Sequence, residues 1–138
     1  TDIIMMLNGA LAGLVAITAE PLTPTPGLAI VIGSIGALIM YFGTKMLENF
    51  GIDDVVGAIP VHMFAGIFGT LVVPLTNSDT SFGTQLVGTL SVCVFSFVLS
   101  YLVFKALKAT VGLRISKAAE KQGTDKSEIG VTAYSIRD

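Results

Sequence analysis

The one histidine, His62, is the residue whose type best suits it to chemistry in this 138-residue chain. It lies inside an uncharged run, Gly57-Ala58-Ile59-Pro60-Val61-His62-Met63-Phe64-Ala65-Gly66. An ionisable group within apolar sequence is costly to bury and by default marks a pathway or a site. A neutral imidazole bonded to a neighbouring helix is the structural alternative, and the sequence leaves both open. Pro60 has no amide hydrogen, so the expectation is a helix broken there, with a carbonyl freed two residues before the imidazole. A broken helix beside a polar group is one way to line a permeation path. Asp53 and Asp54 precede the run and are expected to cap the first amides of the helix that follows, where the macrodipole favours a carboxylate. Glu20 and Glu48 read as solvated charges. Cys93 stands alone in an apolar segment and reads as a packed thiol. There is no nucleophile–base–acid set, no glycine-rich phosphate loop and no metal-ligand spacing, which argues against an enzyme and implies no cofactor or metal.

The elements that must position these residues follow from composition. Charged residues are 13% of the chain and apolar ones 52%, with a mean hydropathy of +0.80. Disorder and most soluble folds are excluded. Eight cations against ten carboxylates leave a net charge of −2, with none of the basic excess that a nucleic-acid partner requires. Four uncharged stretches emerge: Ile3 to Ala19, Pro21 to Thr44, Val55 to Ser78 and Thr80 to Phe104. Each approaches or exceeds the roughly 17 to 25 residues that a helix needs to cross a bilayer. The fold expected is therefore an all-α membrane protein, a polytopic bundle with spans near residues 3–20, 28–45, 55–76 and 82–111. Turn-forming sequence separates them at Glu20-Pro21-Leu22-Thr23-Pro24, at Asn49-Phe50-Gly51 and at Asn77-Ser78-Asp79. Glycines four apart, Gly9 and Gly13, and Gly57, Gly66 and Gly69 on the third stretch, suggest close helix packing. Lys45 and the seven cations from Lys105 to Arg137 fall on one side, so the tail, residues 112–138, is expected in the cytoplasm.

The run from Asp53 to Thr70 resembles the segment around the second pore histidine of the ammonium transporter family. Asn8-Gly9-Ala10-Leu11-Ala12-Gly13-Leu14 is similar to the start of a late transmembrane helix in that family, and Val111-Gly112-Leu113-Arg114, with Gly123, Asp125 and Ala133-Tyr134, resembles its cytoplasmic tail. The resemblance covers essentially the whole chain, with its three parts in order. It implies that the four spans are the last four of an eleven-helix transporter, and that the chain is the C-terminal third of a bacterial-type member. The whole protein would then be a homotrimer in the inner (plasma) membrane, each subunit conducting ammonia derived from ammonium through an apolar pore.

The resemblance assigns His62 to one of two facing pore imidazoles. Asp54, Pro60 and Gly66 would shape the structure around the pore, and Gly112, Arg114 and Tyr134 would take part in regulation by the tail. A trimeric PII-type signal protein at the cytoplasmic face is the implied partner, besides ammonium and the lipid bilayer. Met63, Gly57 and Pro60 depart from the residues usual in the family, which could alter pore width. Two other readings remain: an ammonium-sensing module that signals through its tail to a PII-type partner, and a self-contained four-helix membrane protein that shares ancestry only. The chain begins at Thr1 at the edge of an apolar run, so a processed or truncated product is expected.

Overall fold

The computed structural model describes residues 2–133, so Tyr134 lies outside the described residues. All regular structure among these is helical. Helix α1, Ile3–Ile17, opens on Asp2, whose Oδ1 accepts the Met5 amide at 3.0 Å. It stops at Ile17, short of the expected residue 20, because the chain turns ahead of Pro21 and the Thr18 hydroxyl donates back to Val15 O at 2.7 Å. The residue before a proline is biased away from helical backbone, which reinforces that stop.

Helix α2, Pro26–Asn49, starts with Thr25 as cap and Pro26 in its first turn, where a missing N–H leaves nothing unsatisfied. Its end is a Schellman turn. Gly51, at φ +68°, donates to Glu48 O at 3.0 Å and Ile52 donates to Leu47 O at 3.0 Å, so the last carbonyls find partners.

Helix α3, Ile59–Leu75, changes winding along its length: π over Ile59–Phe64, α over Ala65–Val72 and 3-10 over Val73–Leu75. Helix α4, Phe82–Thr110, is regular over 29 residues, about 44 Å at 1.5 Å per residue. A short helix α5, Lys117–Gln122, and a π turn over Asp125–Ile129 follow, neither of which the sequence suggested.

The described residues form two units that meet at Val94 and Phe95, inside α4. Within the first, α1, α2 and α3 pack on one another around Ala12, Met40, Val61 and Ala65. Backbones approach so closely that small residues are obligatory. A Cβ at Gly36 would lie 2.5 Å from that of Ala16 and 2.9 Å from Ala12 O, and one at Gly13 would lie 3.1 Å from Gly33 O. A Cβ at Gly69 would collide with the Ala16 carbonyl. The glycine contacts thus centre on α2 and Ala16 as much as on the Gly9–Gly13 pair, since Gly9 meets only the Met40 methyl, at 3.7 Å. Gly57 is not a helix-packing glycine at all. It sits in the turn before α3 at φ +73°, beside the Asn8 side chain.

Two loops meet at the far end of α1 and α3. Asn77 Nδ2 donates to Glu20 Oε2 at 3.1 Å and Thr23 approaches Thr76. At the other end, Asn8 Nδ2 donates to Val56 O at 3.0 Å. These ties make α1 and α3 parallel, with α2 returning between them. Glu20 is therefore a loop tie, not the purely solvated charge expected.

Two helices, α2 and α4, are long and apolar enough to cross a membrane; α1 and α3 are apolar but shorter. No residue of α4 is buried, and its leucines, valines and phenylalanines stand exposed, as expected of a surface that lipid or further protein covers.

Candidate functional site

The start of α3 is built by Asp54. Its Oδ1 accepts the Ala58 amide at 2.9 Å and its Oδ2 accepts the Ile59 amide at 2.8 Å, so both oxygens satisfy donors that a helix N-terminus leaves without partners. Gly57 N–H closes the turn onto Asp54 O at 3.1 Å. Asp53 is exposed beside it.

Pro60 does not break the helix. It is buried in the first turn of α3, where the absent amide costs nothing, and Val61 N–H reaches past it to Gly57 O at 3.1 Å. Nor is its carbonyl free: the Ala65 amide is shared between His62 O and Pro60 O. The Val56 carbonyl, which an amide at position 60 would serve in regular winding, takes the Asn8 side chain instead. Asn8 was legible as a lone amide in an apolar helix, and the sequence reading passed over it as a positioning residue. The irregularity near His62 is thus π winding, which recurs at functional positions in helices, and not a proline break.

His62 follows within that π-wound stretch. Val61 and Ala65 on either side of it are buried against α1 and α2, whereas His62 and Met63 are exposed. Among the described residues the imidazole has no hydrogen-bond partner, so no bond to a neighbouring helix holds it. Gly66 and Thr70 continue its face of α3 at intervals of four; Gly66 approaches only Val15 Cγ1, at 3.7 Å, and the Thr70 hydroxyl donates to Gly66 O at 2.9 Å. An imidazole with both nitrogens unengaged can donate from one and accept at the other, as a proton relay requires.

A cleft of about 260 Å³ opens at the Asp54 end between α2 and the turn before α3. Thr44, Glu48, Asp53, Asp54, Gly57 and Pro60 contribute to its lining, and His62 does not. Glu48 is paired with Lys45 at 2.9 Å on the surface, and Asp54 is committed to backbone amides. No group of three potential ligands that could hold a metal occurs among the described residues.

Gly112 and Arg114 lie far along the chain from His62. Gly112, at φ +82°, ends α4 by donating to Leu107 O at 2.9 Å, and Arg114 is exposed just beyond it. In the tail, the Asp125 carboxylate accepts the Ala133 amide at 2.9 Å, and this bond holds its carboxyl below the ordinary value of 3.8, with Lys126 adding to the effect.

Residues 1–134 match the Ammonium Transporter Family. Ammonium transporter Amt2 of Archaeoglobus fulgidus is 35% identical over 96% of this chain and 33% of its own length. Ammonium transporter Amt1 of Haloferax mediterranei is 36% identical over 96% of this chain and 27% of its own. Ammonium transporter Amt2 of Methanocaldococcus jannaschii is 31% identical over 96% and 34% respectively. The chain thus spans about a quarter to a third of the length of the curated relatives it matches. With a match that runs from the first residue past the Asp125 loop, across helices apolar enough to span a membrane, this chain belongs to the ammonium transporter family.

Proposed function

We propose that the chain is the C-terminal third of an ammonium transporter, in which α1 to α4 are the last four of eleven spans and His62 is one of two facing pore imidazoles. The observation that carries this reading is the position of His62: exposed and unbonded on a helix whose adjacent faces are buried, within a π-wound turn that Asp54 anchors. The ammonium ion cannot shed its hydration cheaply in a narrow apolar pore, so passage as a cation is disfavoured. Deprotonation removes that barrier. The neutral ammonia crosses, and an imidazole pair accommodates or relays the proton because each ring nitrogen donates or accepts according to tautomer. In this reading Asp54, Pro60 and Gly66 shape the backbone around the pore, the whole protein is a homotrimer in the plasma membrane, and residues 112–138 are cytoplasmic.

The test is His62→Ala in the full-length protein, with methylammonium uptake and its competition by potassium measured in vesicles. Loss of a hydrogen bond to a charged or charge-developing group is worth about tenfold, so uptake or selectivity should change on that order. Unaltered uptake together with unaltered selectivity would remove His62 from the path.

A second reading is an ammonium-sensing role exercised through the tail on a PII-type partner. The folded turn that Asp125 closes onto Ala133 favours it, since a tail with its own structure can present a defined surface. Deletion of residues 112–138 would then abolish signalling while transport persists.

A further inference from the structure

We propose that Asn8, Gly57 and Pro60 form one positioning unit for His62, in which the side-chain amide of Asn8 supplies the donor that Pro60 lacks. The inference rests on the reading of His62 as a pore imidazole. Proline has no amide hydrogen, so nothing at position 60 can serve the carbonyl four residues before it, that of Val56. A backbone carbonyl left without a donor at the start of an apolar helix is costly. Asn8 Nδ2 donates to it at 3.0 Å from 48 positions away in the chain. Among the described residues the Val56 carbonyl has no other partner. Gly57 makes the room for this bond, since it stands at φ +73° and a Cβ there would lie 2.5 Å from Asn8 Nδ2. Each of the three residues thus answers to the other two.

Packing inside the three-helix unit places Asn8 for this task. It precedes Ala12 and Ala16 at intervals of four, on the face of α1 that those two bury, and is itself half-buried. Ala12 meets Met40, Val61 and Ala65 in the core, so the Asn8 bond extends an interface that is already closed. From there the constraint runs to His62 through adjoining bonds. The Val56–Gly57 peptide is pinned on both sides, its N–H by Asp54 O at 3.1 Å and its carbonyl by Asn8. Asp54 holds the Ala58 and Ile59 amides, Val61 N–H closes onto Gly57 O at 3.1 Å, and the π-wound turn Ile59–Phe64 carries the imidazole. The winding of a first turn sets the direction of each side chain after it. Glycine leaves the backbone free to rotate, so without the Asn8 bond that turn can rewind and swing His62 about the α3 axis.

The experiment is methylammonium uptake, with competition by potassium, by the full-length protein in vesicles. Asn8→Ala, Asn8→Asp, Pro60→Ala and the double variant Asn8→Ala with Pro60→Ala are compared with His62→Ala. A neutral hydrogen bond shifts the balance between placed and displaced imidazole by about two- to tenfold. Asn8→Ala should lower uptake by that factor and alter selectivity in the same direction as His62→Ala. Pro60→Ala restores an amide that can reach the Val56 carbonyl, so in that background Asn8→Ala should lower uptake by less than about twofold. Asn8→Asp keeps the shape and reverses the chemistry: an ionised carboxylate sets acceptor against acceptor, whereas the protonated form donates as the amide does. Its uptake, relative to the parent at the same pH, should fall below that of Asn8→Ala at neutral pH and recover as pH falls, a profile that packing alone does not produce. Three results would overturn the proposal: parent-like uptake by Asn8→Asp at every pH, an equal loss on Asn8→Ala with and without Pro60→Ala, or a silent Asn8→Ala where His62→Ala is not silent. Where Asn8→Ala does not accumulate in the membrane, the Asn8→Asp profile decides. Failure of the pore reading looks different, because His62→Ala would then itself be silent.

Discussion

At the level of single residues, Asp54 and His62 show opposite uses of an ionisable side chain. Asp54 spends both oxygens on amides, at 2.9 and 2.8 Å, and so fixes where α3 starts. Asp54→Ala should destabilise the full-length protein by about 1 to 2 kcal/mol, the range of a lost N-cap, read as a lower midpoint in thermal unfolding of the detergent-solubilised protein. Asp54→Asn retains one acceptor oxygen and should lose about half as much. Equal stability of the alanine variant and the parent would show that the turn before α3 is held by other contacts. His62 makes no such bond among the described residues, and in the proposed function its partner is the facing imidazole. The capping role of Asp54 was legible in the sequence, as a carboxylate just ahead of an apolar helix. The sequence misjudged Pro60, because where a proline falls within a helix depends on the first turn's exact start, which Asp54 and Gly57 set through hydrogen bonds three to five residues away.

Among the elements, close approach decides everything that the apolar pattern leaves open. Long uncharged runs bounded by turn residues are legible because burial of charge is costly whatever the partner. Which face of α2 meets α1 is not legible, since nearly every position is apolar and periodicity carries no direction. Gly33 and Gly36 set it against Gly13, Ala12 and Ala16, while Gly43 admits α3, where a Cβ would lie 2.5 Å from the Phe64 ring. Gly36→Leu should therefore cost about 1 to 3 kcal/mol or more through overpacking against Ala12 and Ala16, measured by thermal unfolding. Gly27→Ala, in the first turn of the same helix with nothing within 4 Å, should be close to neutral. If the two variants were equally stable, the α1–α2 crossing would not depend on glycine. The π winding of α3 over Ile59–Phe64, which brings Val61 and Ala65 into the core with Ala12 and Met40, was likewise not legible in the apolar pattern.

For the molecule as a whole, the tail and the bundle obey different physics. The turn that Asp125 closes depends on an ionised carboxylate. Its folded value is lowered, so the bond to the Ala133 amide contributes fully above the ordinary carboxylate value of 3.8 and is lost as pH falls through the lowered one. Exchange of the Ala133 amide, after correction for the intrinsic pH dependence, should rise only in that acid range, and Asp125→Asn should remove the pH dependence. A titration that persists in the asparagine variant would assign it to another group. The sequence by itself determined the class of the protein: a charge fraction of 13% confined to joints and tail leaves apolar helices as the economical solution, and local turn residues mark where they end. The family motifs were legible for the same reason, being contiguous runs. The alternation of cation-bearing and cation-free joints already made the first and third spans parallel, but only the tertiary structure decided that their loops are tied by Glu20 and Asn77, that Asn8 completes the turn before α3, and that His62 faces outward from the three-helix core. Those features join residues about 50 positions apart, and a pairwise contact between distant residues leaves no trace in the local pattern of either one.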